Sequence, residues 1–206
     1  MYILTRAEPL ENCKDNICRI QVDAEEERQY IEAGYRKYER SYQLKSQHKE
    51  YIVFCPEFRK RGKVAGSVVL IPEFLVPGRP YPVYIYAYAI GLYTNMPEKG
   101  QRWAAAETRK QFGLQSFAHT TLGRALKSFV RRPEVETAAV VEDPGAAAPD
   151  SCEDTVFPQV SQTEASRKQA ALLLSGVPLC EGKHQIVISV LGLARELFVK
   201  YHRFLL

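Results

Sequence analysis

Long hydrophobic runs are missing from this sequence. The nearest, Val68 to Leu92, is broken by prolines, Glu73 and Arg79. A membrane-spanning helix needs roughly 20 apolar residues without such breaks. The opening MYILTRAEPLENC has no basic segment followed by an apolar core, so it does not read as a secretion signal. Cysteine is scarce and odd in number, five residues without the spacing of a secreted disulfide framework. That points to a reducing cytoplasm. Histidine is scarcer still: His48, His119, His184 and His202 stand apart, with no HExxH around them and no GxSxG, Walker-type loop or GxGxxG elsewhere. Glu196 and His202 are six apart on the last predicted helix and share no face. The expectation from these absences is a chain that is not an enzyme and carries no cofactor. Lys and Arg are absent from residues 133–164, which hold eight acids: Glu134, Glu136, Glu142, Asp143, Asp150, Glu153, Asp154 and Glu164.

Positive charge is concentrated just before that acidic segment. Residues 100–132, GQRWAAAETRKQFGLQSFAHTTLGRALKSFVRR, carry Arg102, Arg109, Lys110, Arg124, Lys127, Arg131 and Arg132 against the single acid Glu107. The local charge is +6 in a chain whose total is +4. The spacing predicts two helices, Arg102–Phe112 and Thr120–Arg132, with Gly113 supplying a left-handed turn position. Ala105, Ala106, Phe112 and Leu114 would pack against Leu122, Ala125, Leu126 and Phe129, and Phe117 would anchor a connection longer than the usual three or four residues. Such a pair can offer its second helix to a DNA major groove about 12 Å wide. His119, Thr120, Thr121, Arg124 and Lys127 would then face base edges and phosphate. Arg102, Arg109, Lys110, Arg131 and Arg132 would hold phosphates without reading sequence. Arg59, Lys60 and Arg61 add a second basic cluster. An ordinary helical hairpin with a solvated Lys/Arg face accounts for the same pattern.

Elsewhere the patterns are coarser. Asp23 caps a helix expected over Ala24 to about Leu44, with Ile31, Tyr35, Tyr38 and Tyr42 on one face. EYIVFC (Glu50–Cys55) and KVAGSVVLI (Lys63–Ile71) read as a hairpin joined by PEFRKRG. The proline-dense PEFLVPGRPYP is a connector. From Pro82 to about Tyr93 a helix is preferred over a strand, although tyrosine alternates at 84, 86 and 88. SQTE at Ser161–Glu164 is a capping box, and Ile186, Val190, Leu193, Leu197, Tyr201 and Phe204 make an apolar face on a terminal helix from about His184 to Leu206. Zinc would need four thiolates or imidazoles. The chain offers one loose pair, Cys13 and Cys18, then Cys55 with Phe58 where a partner cysteine would stand, and no metal site is expected.

The segments CPEFRKRG, IPEFLVPGRPY, the tyrosine-rich helix and AAAETRKQFGLQSFAHTTLGRALKSF together resemble a family of small bacterial proteins, common in Gram-positive bacteria. These are related to the N-termini of insertion-element transposases and join a zinc-ribbon-like module to a helix-turn-helix. The similarity covers about residues 50–130 and is most specific at Pro72–Pro77, at Phe112-Gly113-Leu114 and at Thr120-Thr121-Leu122. The knuckle cysteines are reduced to Cys55, so the resemblance implies DNA binding with a degenerate ribbon and does not carry zinc over. The chain after Arg132 is too short for a transposase nuclease domain with its two-metal carboxylate site.

The expected fold is therefore α+β and mostly helical: an N-terminal helix plus ribbon-like hairpin over 1–80, a three-helix helix-turn-helix core over 81–133, an acidic linker over 134–160 and a C-terminal helical pair over 161–206. The expected role is duplex DNA binding, as a transcriptional regulator or mobile-element accessory factor. The alternative is a protein-interaction adaptor or inhibitor acting through the acidic segment and the C-terminal helix, which could also pair two copies of the chain.

Overall fold

Asp23 accepts hydrogen bonds from the amides of Glu25 (2.8 Å) and Glu26 (3.4 Å) and so opens helix α1, Ala24–Glu32. Three acids in its first turn suit the positive end of the helix dipole. Gly34, at φ 84°, closes it. The computed structural model describes residues 1–7, 10–60, 66–130, 167–168, 170–172, 174 and 183–201.

The helix expected to run to Leu44 stops at Glu32, and the chain continues as strand β3, Tyr35–Ser46. A spacing of four, as between Tyr38 and Tyr42, satisfies both the helical and the strand period, so the tyrosines alone do not choose. The partner strand chooses. β3 pairs antiparallel along its whole length with β4, Lys49–Lys60, which sets Tyr42 against Val53 and Leu44 against Tyr51. The turn is Gln47–His48, both at positive φ (49° and 58°), the twist that suits a two-residue hairpin.

The hairpin expected between residues 50–55 and 63–71 is thus replaced by a longer one that starts earlier. PEFRKRG is no loop through Lys60; Pro56 to Lys60 are the second half of β4. Pro56 is tolerated there for a geometric reason. β2 (Ile17–Arg19) pairs with Ile52–Phe54, and β5 (Val68–Pro72) pairs with Glu57 and Phe58 on the same edge. The residue without a donor falls in the gap between the two neighbours. β1 (Tyr2–Thr5) runs parallel to β5 and completes a mixed five-stranded sheet.

One face of the sheet, with Leu44, Tyr51, Val53, Cys55, Val69 and Ile71, is buried in the main core. Against it lies α2, Val83–Asn95, preceded by Pro82 as its cap. Every residue from Val83 to Gly91 is buried, and a helix apolar on all sides is a core helix. That all-round burial is why its sequence also reads as a strand. Helices α3 (Gln101–Phe112), α4 (His119–Val130) and α5 (Lys183–Tyr201) follow. Each packs on α2, and α3 also packs on α4. A single hydrophobic cluster runs from Leu10 to Ala194, across the expected boundary at residue 80. The fold is α+β, with more sheet than the small hairpin expected.

Among the described residues, the opposite sheet face is covered at one end only. Tyr30 of α1 stacks on Phe58 at 4.3 Å between ring centroids, beside Val68, Leu70 and Tyr35. At the other end Ile17 and Ile52, neighbours in register, are 42% and 39% exposed. The C-terminal helix uses Ile186, Val190 and Ala194 inward. Arg195 ties it to buried Glu73 (2.6 Å). Arg167 lies over the Tyr93 ring and donates to the carbonyls of Tyr93 (2.5 Å), Met96 (2.9 Å) and Lys99 (3.2 Å), at and just beyond the end of α2. The expected linker, the capping box at Ser161–Glu164 and the side chains of Leu197, Tyr201 and Phe204 lie outside the described residues.

Candidate nucleic-acid interface

Two short helices and the bend between them carry the predicted site. On α3 the buried stripe is Ala104, Ala105, Thr108 and Phe112, with Thr108 donating to the Ala104 carbonyl (2.7 Å). Small residues there let α2 and α4 come close. Ala106, expected in that contact, is only half-buried. The stripe leaves Arg102 and Arg109, seven residues apart on one face, and Lys110 exposed. Gly113 ends the helix in the left-handed region (φ 57°, ψ 49°), as its position in the sequence required.

The connection is pinned rather than loose. Leu114 and Phe117 are buried, and the Phe117 ring meets those of Tyr81 at 5.1 Å and Tyr86 at 5.8 Å. The Tyr81 hydroxyl donates to the Ser116 carbonyl and lies 3.2 Å from its hydroxyl. α4 buries Leu122, Ala125, Leu126 and Phe129 and exposes His119, Thr120, Arg124 and Lys127, with Thr121 half-buried. Thr120, Arg124 and Lys127 fall at i, i+4 and i+7, one helical stripe. The residue before α4 is Ala118, whose carbonyl accepts from Thr121 (3.0 Å) and Leu122 (3.2 Å) but whose side chain cannot cap the first amides.

Among the described residues, Arg102, Arg109, Lys110, Arg124 and Lys127 form no ion pair, and neither does Glu107. Five cations on adjacent helices are therefore exposed without an ion-pair partner among the described residues. Arg131, Arg132 and Arg61 lie outside the described residues.

Arg59 and Lys60 are arranged differently from the expectation. Arg59 donates to Glu57 Oε2 (2.7 Å) and lies over the Tyr38 ring, while Lys60 lies over the Tyr35 ring at 5.6 Å. Arg40, across the hairpin, grips the other side of Glu57 through Nε (3.2 Å) and a terminal nitrogen (2.9 Å). Glu57 is 1% exposed. The hydrogen bond from Arg59, together with Arg40, holds its carboxyl below the usual carboxylate range. Arg59 also sits ten residues along β4 from Lys49 at the hairpin tip, about 33 Å at strand rise. It does not share a groove-sized surface with α4.

The sequence reading missed the hairpin tip. The Gln47 amide donates to the Phe112 carbonyl (3.2 Å) and the His48 amide to the Gly113 carbonyl (2.6 Å). The turn thereby satisfies acceptors at the end of α3, and a Cβ on Gly113 would stand 3.2 Å from the His48 ring. Lys45, Ser46, His48 and Lys49 are so brought to the bend between α3 and α4. Gln-His is no turn signature, which is why no local signal announced this.

Cys55 is fully buried, and burial pushes its thiol up to about 12. Among the described residues no three of His, Cys, Asp and Glu gather to hold an ion, and no helix is long and apolar enough to cross a membrane. No family model, curated protein or solved structure matches the chain.

Proposed function

We propose that the protein binds duplex DNA through α3 and α4, as a transcriptional regulator or mobile-element accessory factor without catalytic activity of its own. The observation that carries this reading is the set of five unpaired cations on two adjoining helices whose connection is fixed by Tyr81, Phe117 and Gly113. Side chains already satisfied by internal carboxylates have less to gain from phosphate; these five have no such partner among the described residues. Arg102, Arg109 and Lys110 contact phosphates. Thr120, Thr121, Arg124 and Lys127 meet base edges, with Arg124 able to make the bidentate contact to guanine. His119 and the uncapped start of α4 add phosphate contacts. The adaptor alternative is less favoured, since Ile186, Val190 and Ala194 of α5 are spent on the chain's own core.

Fluorescence anisotropy with random and selected duplexes across a salt series tests the reading. Five phosphate-range cations should give a slope of log K against log salt of about −4 to −5. Absent binding at low salt, or a slope near zero, overturns it.

A further inference from the structure

The hairpin tip and the α3–α4 connection enclose a cleft with about 30 Å³ of room for small atoms. That suffices for a water or two or the oxygens of one phosphoryl group, and not for a base or sugar. Its chemistry favours an anion. Lys45 is engaged with Glu50 at 3.0 Å, so the carboxylate on the rim is neutralised. Lys49 and His48 have no ion-pair partner among the described residues. Ser46 lines the cleft, is 1% exposed, and its hydroxyl meets no hydrogen-bond partner among the described residues. A buried hydroxyl left unsatisfied is destabilising, and a phosphoryl oxygen would relieve it. Ser116, across the cleft, is held by Tyr81 and stands three residues before α4. The hydrogen bonds from Gln47 and His48 to the end of α3 fix the two walls relative to each other.

We propose that this cleft is a phosphoryl-binding site, in which Lys49, His48 and the Ser46 hydroxyl hold one backbone phosphate of the duplex that α4 reads. The hairpin tip is then a second element of the interface, working beside the helix pair. The assignment of the phosphate to DNA rests on the DNA-binding reading; the anion chemistry of the cleft does not.

The test uses the full chain in two arms. In the first, duplex DNA is titrated against the wild type, Lys49→Ala, Ser46→Ala and Arg124→Ala over a salt series. Lys49→Ala should weaken all sequences alike, by about three- to tenfold, and lower the salt slope by about 1. Ser46→Ala should weaken binding about two- to fivefold while leaving the thermal midpoint unchanged or raised, which a merely structural serine would not do. In the second arm, inorganic phosphate alone is titrated while the amide resonances of residues 46–49 and 114–116 are followed. They should shift in the wild type and not in Lys49→Ala. If DNA binds and Arg124→Ala weakens it while Lys49→Ala and Ser46→Ala change neither affinity nor slope, the cleft assignment falls and the DNA reading stands. If DNA fails to bind but phosphate still shifts these amides, the DNA reading falls and the anion site stands. No shift with phosphate overturns the site.

Discussion

Two basic clusters look alike as text and differ as surfaces. RKRGK at residues 59–63 is the denser in charge, yet Arg59 is bound to a carboxylate that is itself 1% exposed, and a second arginine comes from across the hairpin. The helix pair spreads its cations over more residues and leaves those described unpaired. The difference lies in periodicity. On a strand, residues two apart share a face, so Glu57 meets Arg59, and register adds Arg40 from β3. On α3 the lone acid, Glu107, lies five residues from Arg102 and two from Arg109, off their face, and although Lys110 stands three residues on, the two form no ion pair among the described residues. Charge counted along a chain becomes charge available to a ligand only after the period has been decided.

The largest expected effect tests the exposed side of this contrast. Removing three cations together, Arg109→Ala, Arg124→Ala and Lys127→Ala, should lower duplex affinity about 100-fold near 0.1 M salt, at roughly 1 kcal/mol for each lost contact. Stability measured by urea denaturation should stay within about 0.5 kcal/mol, since none of the three is tied to the fold. A loss of affinity that simply tracks a loss of folded protein would erase the distinction between the two regions.

Glu57 tests the tied side. Glu57→Gln keeps the shape and deletes the charge between Arg40 and Arg59. It should cost about 2 kcal/mol, less than a wholly buried pair would, because both guanidinium groups stay partly in water. The pH dependence follows from the same contact. Unfolded, the carboxyl titrates near its ordinary value of about 4.3; folded, Arg59 and Arg40 hold it lower. The stabilisation is therefore complete above that ordinary value and is lost as pH falls toward the folded one. Acid titration of the variant should lack this part of the wild-type loss; superimposable acid limbs would deny the ion pair its role. Duplex affinity should not fall.

How much of this was legible in the sequence divides along the same line. The corner was readable because Gly113 acts locally and because Phe117 and the alanines of α3 stand out as apolar in a polar stretch, although the rings that receive Phe117, Tyr81 and Tyr86, lie 36 and 31 residues back. α2 was readable as apolar but ambiguous in type, because a helix buried on every side shows no stripe. β3 was not readable: Tyr38 and Tyr42 fit either period, and their partners lie in a strand 19 and 11 residues away, across a Gln-His turn without glycine or asparagine. The pairing of Arg59 with Arg40 and Glu57 depended on that same register, and so did the arrival of Lys49 and Ser46 at the corner.

A smaller effect comes from the hinge between the two regions. Gly113→Ala forces a side chain into a left-handed position, with its Cβ 3.2 Å from the His48 ring. The expected cost is about 1–2 kcal/mol by urea denaturation. Duplex affinity should fall only a few-fold, because the helices persist while the hairpin tip gives way. A variant as stable as the wild type would mean that His48 yields freely and the tip is not locked to α3.

The smallest expected effect is the sharpest on the contrast itself. Arg59→Ala removes as much formal charge as Arg124→Ala, and a surface that counted charge alone would respond equally to both. If the buried carboxylate holds Arg59, its loss should change duplex affinity by less than about twofold and leave the salt slope unaltered, since a cation already neutralised releases no further counterion. Its cost should appear in stability instead, about 1 kcal/mol, as Glu57 keeps Arg40 but loses its shortest contact. Equal slopes lost by Arg59→Ala and Arg124→Ala in parallel salt titrations would place DNA on the sheet end as well, some 30 Å from the helix corner along β4, and would require an interface spanning the whole hairpin.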